Sequence, residues 1–186
     1  MRRANAALSI ALFGSVLFSG AAAGAATTPA PPAAGSVSLF ATPSESGNGD
    51  GTIVLTGAVG DYGKITPNMD KDGKVDPNGD YGEAILQKGT IEVNLTKFNA
   101  VTNNAQPSID KTTCSAAFTG TGPVTFVSGT GLYKGISGTL DLTATFAAIF
   151  PRFATGKDKG QCNLSNSAQP VAEWGSITGK GTVSFS

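Results

Sequence analysis

A glycine-rich stretch at residues 129–140, with the sequence GTGLYKGISGTL, constrains the fold of this chain more than any other segment. Sequence typical of β-strands runs into it at residues 124–127 and out of it at residues 139–146. Glycine is used where the backbone needs a positive φ angle or comes close to another segment. We therefore predict two tight reversals that enclose one short strand and bury its aromatic residue in a β core. The residues concerned are the four glycines and the apolar anchors between them: Gly129, Gly131, Leu132, Tyr133, Gly135, Ile136 and Gly138.

The rest of the chain also favours short strands joined by turns. It has 186 residues, of which 25 are glycine, and long runs of helix-forming residues are missing. Apolar and polar residues alternate with a period of two at residues 90–98 and 139–148, as in strands that bury one face. Segments of this kind predict about nine or ten strands and no helix. Because antiparallel strands must bury one face and hide their edges, we predict an all-β fold: an antiparallel barrel of about eight to ten strands, or alternatively a two-sheet β-sandwich.

Turn residues and aromatic residues give more local predictions. Gly120-Thr121-Gly122 is predicted to be a turn that joins strands at residues 113–119 and 123–127. Residues 99–110 are predicted to form a loop. Trp174, Phe146, Phe150 and Phe153 are predicted to lie in the core or in the lumen of a barrel.

The first residues have the character of a secretory signal peptide. Residues 1–26 contain two arginines, an apolar middle and a region of small residues in which cleavage after Ala25 or Ala26 fits. Residues 27–35 are rich in proline and alanine and are predicted to be a linker, followed by a single β-barrel domain at residues 36–186. We expect a secreted, extracellular protein with no stable membrane span after cleavage. An uncleaved anchor is the alternative, but the apolar run is short for a span.

Two cysteines, Cys114 and Cys162, are the only ones in the chain. In an exported protein they are expected to form a disulfide bond. The bond would close a loop of roughly 50 residues, which the chain-entropy model values at up to about 4 kcal/mol. The alternative is a pair of buried free thiols.

Charge and composition exclude several classes of function. The formal net charge is zero and 14% of the residues are charged, whereas a nucleic-acid-binding face must be basic. We therefore expect no nucleic-acid partner. The chain has no histidine, so catalysis by a Ser-His or Cys-His pair and a histidine-based metal centre are both impossible.

The glycine-rich stretch carries a resemblance to a known family. The pattern G-x-G-x-[FY]-x-G-x-x-G at residues 129–138 resembles the signature hairpin of the allene oxide cyclase and dirigent barrel superfamily. The mature region also resembles a set of uncharacterised secreted actinobacterial proteins, through residues 60–63 (GDYG), 120–124 (GTGPV) and 160–163 (GQCN). The resemblance implies an eight-stranded antiparallel barrel that shapes a cavity around a fatty-acid epoxide or around phenoxy radicals. It implies no catalytic residue here, because none of the residues that act in either group matches a position of this chain.

An acidic segment at residues 68–80 is the best candidate for a metal site. With Asn68 as position one, oxygen-bearing residues fall at positions one, three, five and nine of a calcium loop of the EF-hand type. Position twelve is Gly79 and not a bidentate glutamate, and no helix pattern flanks the segment. The spacing of the oxygen-bearing residues makes calcium the candidate cofactor. These two departures are consistent with the alternative, a solvated loop built on Asp-Gly and Asn-Gly turns. The candidate ligands are Asn68, Asp70, Asp72 and Asp76.

Carboxylates on the strands offer a second kind of site. Glu92 and Asp141 lie on the polar faces of alternating strands, and Glu83 and Glu173 lie near strand ends. If the polar faces lined a barrel lumen, two of these groups could approach each other and one could act as an acid or base. The alternative is that the apolar faces pack the core and the carboxylates lie in water.

Three functions remain open at this point. The leading hypothesis is a secreted, non-enzymatic β-barrel module that binds a small apolar ligand or a cell-surface partner. The second is a cavity-shaping cyclase or isomerase of the allene oxide cyclase type. The third is a calcium-stabilised extracellular module. A large lumen with convergent polar groups would favour a ligand site, and a packed apolar lumen would argue against catalysis. The oligomeric state does not follow from the sequence.

Overall fold

A computed structural model describes residues 32–43, 51–76, 78–165 and 167–186. The predicted signal peptide and most of the predicted linker lie outside these residues. The described elements are, in chain order, β1 (Gly35–Thr42), β2 (Gly51–Gly57), β3 (Asp61–Met69), β4 (Tyr81–Leu86), β5 (Gly89–Asn94), α1 (Thr96–Asn104), β6 (Ser108–Asp110), β7 (Ser115–Gly129), a 3-10 helix (Gly131–Tyr133), β8 (Ile136–Ile149) and β9 (Ala172–Phe185).

Eight of the strands form a closed antiparallel barrel. The order across the sheet is β5-β4-β3-β2-β1-β9-β8-β7, and β5 also pairs with β7, which closes the ring. The short strand β6 pairs with a different part of β7 and adds to the sheet outside the ring. The predicted barrel is confirmed, and the sandwich alternative is wrong.

Alternation along the strands explains which side chains fill the barrel. In β1, for example, Val37, Leu39 and Ala41 are buried, whereas the residues between them point outward. The same period of two holds in β2 and in the central part of β8. The apolar residues of these strands form one core cluster inside the barrel. Among the described residues, no helix has the length and apolar character needed to cross a membrane.

Strands β7, β8 and β9 are long and continue beyond the barrel. Strand β1 pairs with β9 only up to Ile177, while β8 pairs with β9 as far as Ala172. Residues 115–119, 145–149 and 172–176 therefore continue the sheet beyond the ring, with β6 paired to its β7 edge, and this part is here called the extension. Next to the start of β7, Cys114 and Cys162 form the predicted disulfide bond, which is thus confirmed.

The glycine-rich stretch behaves largely as predicted. Gly131 and Gly135 have positive φ angles of 58° and 77°. A Cβ atom on Gly135 would lie 2.1 Å from the carbonyl oxygen of Ser186, so only glycine fits there. Tyr133 is fully buried, as expected. The short strand predicted between the two reversals is wrong, because residues 131–133 form a 3-10 helix.

Two predictions about the middle of the chain are wrong for one common reason. Residues 120–122 are not a turn but part of β7, and the predicted strand end and loop at residues 96–104 form α1. A Cβ atom on Gly122 would lie 3.0 Å from the Cα atom of Phe98 in α1. The glycine therefore serves the close approach of the helix to the strand. The helix is composed mostly of weak helix formers, namely Thr, Asn, Phe and Val, and packing of its buried Phe98 stabilises it instead.

Candidate functional site

The lumen of the barrel contains an apolar cavity of about 120 Å³. Its walls are mainly aliphatic and aromatic side chains, including Leu39, Ile91 and Phe126. Polar residues contribute at one end only, where Thr66, Asn68, Glu83 and Asn99 border the cavity.

Helix α1 covers this polar end. Its buried Phe98 borders the cavity. The side-chain amide of Asn99 donates hydrogen bonds to the carbonyl oxygen of Gly79 (3.3 Å) and to Oδ1 of Asp80 (3.1 Å). The backbone N–H of Leu95 donates to the carbonyl oxygen of Asp80 at 2.6 Å. The helix is thus fastened to the end of the acidic segment, and its Asn99 amide is engaged there and not with the cavity.

The size of the cavity limits what the lumen can hold. Pockets for drug-sized ligands have volumes of roughly 300–1,000 Å³, whereas an engineered apolar cavity of about 150 Å³ binds benzene. The cavity of about 120 Å³ therefore matches at most one small apolar ring. A fatty-acid-sized substrate would require the lumen to expand, so the cyclase hypothesis stays a prediction that has no support from the volume of this lumen.

The carboxylates of the acidic segment are engaged with its own backbone. Oδ1 of Asp70 accepts hydrogen bonds from the N–H groups of Asp72 and Lys74, each at 2.9 Å. Oδ1 of Asp76 accepts one from the N–H of Asn78, also at 2.9 Å. No three His, Cys, Asp or Glu side chains in the described part of the chain come together in a group that could hold a metal ion. Calcium binding by this segment stays a prediction, and the hydrogen bonds are those expected of the solvated-loop alternative.

The side chains of the four strand carboxylates point away from the lumen, and of these residues Glu83 alone also borders the polar end of the cavity. Asp141 and Glu173 are exposed. Oε2 of Glu92 accepts a hydrogen bond from the hydroxyl of Ser128 at 2.8 Å on the exposed side of the sheet. Glu83 is directly opposite Glu92 in the register of β4 and β5, and therefore shares that outer face. The apolar faces of the strands thus pack the core, as in the second alternative above.

A buried polar pair lies at the other end of the barrel. The hydroxyl of Tyr133 donates a 2.5 Å hydrogen bond to Oδ2 of Asp61. The N–H groups of Tyr62 and Lys88 donate to the same carboxylate at 2.8 Å and 3.0 Å. Burial raises the pKa of Asp61, but these hydrogen bonds lower it by more, so the net pKa lies below the ordinary value of 3.8. Burial and the neighbouring carboxylate raise the pKa of Tyr133. The pair joins the 3-10 helix to the start of β3 and reaches neither the cavity nor solvent, which indicates a structural role.

The outer surface of five neighbouring strands is covered with hydroxyl groups. The outward positions of β2, β1, β9, β8 and β7 are mostly serine and threonine, and we call this surface the hydroxyl wall. Neighbouring hydroxyls bond across strands, as Thr121 does with Thr143 at 2.9 Å and Thr42 with Thr52 at 2.7 Å. The members are Ser36, Ser38, Thr42, Thr52, Thr56, Thr119, Thr121, Thr125, Thr139, Thr143, Thr145, Ser176, Thr178 and Thr182.

Exposed aromatic and aliphatic side chains interrupt this wall. Phe40 is 51% exposed and stands opposite Val54 on one side and Thr178 on the other. Tyr62, which is 61% exposed, extends the same row because it pairs with Val54. Two shallow grooves of about 290 Å³ and 310 Å³ border Phe40, one toward β2 and one toward Asp141. The alternation of β1 in the sequence places Phe40 among the serines, so this signal was available in the sequence.

Trp174 adds a third exposed aromatic residue to the same face. It is 59% exposed, so the prediction that it lies in the core or lumen is wrong. It precedes Thr178 by four residues on β9 and therefore points to the same side of the strand. Trp174 is in register with Ala147 on β8, and Ala147 is in register with Ala117 on β7. These alanines line the floor of an open groove of about 470 Å³, which Trp174 borders. The face that begins at Tyr62 thus continues to the extension.

Comparison with known proteins gives no relatives: the chain matches no protein-family model, no curated protein and no solved structure. The resemblance to the allene oxide cyclase and dirigent superfamily therefore stays a prediction beside the confirmed barrel. The arrangement of side chains alone must indicate the function.

Proposed function

We propose that this protein is a secreted, non-enzymatic β-barrel module that binds a cell-surface partner through the outer wall of its barrel. One observation carries the proposal: Phe40, Tyr62 and Trp174 are all more than half exposed and lie on one face. Large apolar side chains that are grouped on a surface mark sites of interaction more often than isolated ones do. A face that only had to be solvated would not carry three exposed rings, one of which, Phe40, lies between serine and threonine side chains.

The lumen supports the same proposal by its small size. The inward residues of an eight-stranded barrel can fill its interior, and the remaining cavity here is about 120 Å³ and apolar. A cyclase of the kind that the resemblance implies needs a cavity that encloses its substrate. We therefore assign the binding role to the outside of the barrel.

The disulfide bond supports the extracellular location. Disulfide bonds persist in oxidising compartments and are rare in the cytosol. Cys114 is buried and bonded to Cys162, and no free cysteine occurs in the described part of the chain. Together with the signal-like first 26 residues, this favours a protein that works outside the cell.

Binding to intact cells tests the proposal. The mature protein, labelled with a fluorophore at its amino terminus, is titrated onto cells of the source organism, and bound label is measured by flow cytometry. We expect Phe40→Ser combined with Tyr62→Ser to weaken binding by about tenfold or more, since buried aromatic anchors dominate the binding energy of interfaces. Ile85→Ser is the matched control, because Ile85 is 49% exposed on β4, outside the hydroxyl wall.

The control variant should bind within about twofold of the parent, a difference well below one tenfold step of 1.4 kcal/mol. The proposal is wrong if the parent does not bind the cells, or if the double variant binds as tightly as the parent does.

A further inference from the structure

We infer that the hydroxyl wall binds a neutral polysaccharide. This inference rests on the proposed function and names the chemical class of its partner. It follows from the charge of the wall, from the spacing of the aromatic residues on it and beside it, and from the hydroxyl groups around Phe40.

The charges on this face suit a neutral partner. Asp141 and Lys180 are direct neighbours in the register of β8 and β9, in the middle of the wall. Lys64 is opposite Thr52 at the β3 border. In the extension, the carboxylates of Asp110 and Glu173 border the groove beside Trp174. Two ammonium groups and these few carboxylates among the described residues of this face do not make the basic patch that a polyanion requires. The partner is therefore expected to bind without depending on ion pairs.

The aromatic residues are spaced for a polymer and not for a single sugar. Tyr62 and Phe40 are two strands apart, which corresponds to about 10 Å at the usual strand spacing. Phe40 pairs with Thr178, and Trp174 lies four residues earlier on β9, a displacement of about 13 Å along the strand. A sugar ring presents a C–H face that can pack on an aromatic ring, and an extended chain of sugars can reach several such rings at once.

The hydroxyl groups distinguish a polysaccharide from a protein partner. The cores of protein–protein interfaces are enriched in aromatic residues and depleted in serine, whereas Phe40 has Ser38, Thr42 and Thr178 around it. Hydroxyl groups both donate and accept hydrogen bonds, as the hydroxyls of a sugar do. The preference of threonine for β-strands explains part of this composition, but it does not explain the exposed phenylalanine among the hydroxyls.

Retention on insoluble polysaccharides tests the inference. The mature protein is mixed with microcrystalline cellulose, with chitin and with the deproteinised envelope polysaccharide of the source organism, and the protein that stays in solution is measured. We expect saturable retention on at least one of them, unchanged by added sodium chloride because no ion pairs are needed. Phe40→Ala and Tyr62→Ala should each weaken retention by about tenfold, as loss of a stacked aromatic group does, while Ile85→Ala should leave it within about twofold. A thermal melt of each variant verifies that it is folded.

The outcomes separate this inference from the proposed function. If none of the three polysaccharides retains the protein, the inference is overturned. If the protein nevertheless binds intact cells, and protease treatment of the cells abolishes this binding, the partner is a protein and the proposed function stands. Retention that disappears with salt, or that both aromatic variants keep in full, also overturns the inference. Loss of all binding to intact cells would remove the proposed function itself.

Discussion

Removing the hydroxyl group of Tyr133 should lower the unfolding free energy of the barrel by an amount that is large for the loss of one oxygen atom. The side chain is fully buried, and its O–H donates to the carboxylate of Asp61, which is only 6% exposed. In Tyr133→Phe, the carboxylate keeps the N–H groups of Tyr62 and Lys88 but loses its third donor. A hydrogen bond to a charged group contributes about 1.5–3 kcal/mol, and we expect a loss of unfolding free energy in that range.

The effect should depend on pH in a defined direction. The pKa of Asp61 is lowered in the folded protein, so its carboxylate contributes stability above the ordinary value of 3.8, and this contribution is lost as the pH falls through the folded pKa. Without the Tyr133 hydroxyl, the folded pKa of Asp61 rises. The difference in stability between parent and Tyr133→Phe is therefore largest near neutral pH and shrinks under acid conditions, where Asp61 is protonated in both.

Urea denaturation followed by circular dichroism at about pH 7 and at the lowest pH at which both proteins still fold measures both statements. Tyr62→Phe is the matched control, because the Tyr62 side chain is 61% exposed, and it should change stability by less than about 0.5 kcal/mol. The reasoning is refuted if Tyr133→Phe unfolds at the same urea concentration as the parent, or if its deficit is the same at both pH values.

Three further predictions concern the backbone, the disulfide bond and the acidic segment. A positive φ angle costs an alanine about 1–2 kcal/mol, and Gly135→Ala should lower the unfolding free energy by well over this amount because its Cβ would also strike a carbonyl oxygen. Gly156→Ala, at φ 84° with nothing within 4 Å of its Cβ, should cost only about 1–2 kcal/mol, and equal melting temperatures of the two variants would contradict this. Cys114→Ser combined with Cys162→Ser should cost about 2–4 kcal/mol in a urea titration, and a smaller loss than about 1 kcal/mol would speak against a stabilising bond. Asp70→Ala should lower the unfolding free energy by about 1 kcal/mol, with or without calcium, because two hydrogen bonds from backbone N–H groups are lost. The calcium hypothesis instead requires that calcium raise the melting temperature of the parent and not that of the variant.

The sequence was sufficient to predict an antiparallel all-β fold, with a barrel as the first of two alternatives, because its signals are local. Alternation in β1 and β8 shows which face is buried, and the glycines near Tyr133 mark places where a side chain would clash with backbone. The disulfide bond followed from the presence of only two cysteines in a chain expected to be exported. Each of these inferences depends on a few neighbouring residues or on composition. Contacts between residues that are distant in the sequence do not alter the structure that such signals predict.

The failures concern residues whose role depends on distant contacts. Gly122 has the local appearance of a turn residue, but it is glycine because α1 packs on it, and no feature near it in the sequence shows that helix. The size and apolar character of tryptophan predict a core position for Trp174, yet the extension in which it lies has no second layer over that face among the described residues. Propensity and hydrophobicity cannot show where a sheet continues past its barrel.

The candidate site was missed for a related physical reason. Alternation identifies the buried face of each strand, but it does not distinguish an outer face that is only solvated from one that binds a partner. In a barrel of eight strands the inward residues are largely committed to filling the interior, as the residual 120 Å³ cavity shows. The outward residues can vary without disturbing that packing, since they contact solvent and their cross-strand neighbours. Binding of anything larger than one small apolar ring is therefore compatible with this core only on the outside. There, Phe40, Tyr62 and Trp174 are the aromatic side chains of the described residues that are more than half exposed, which solvation alone does not explain.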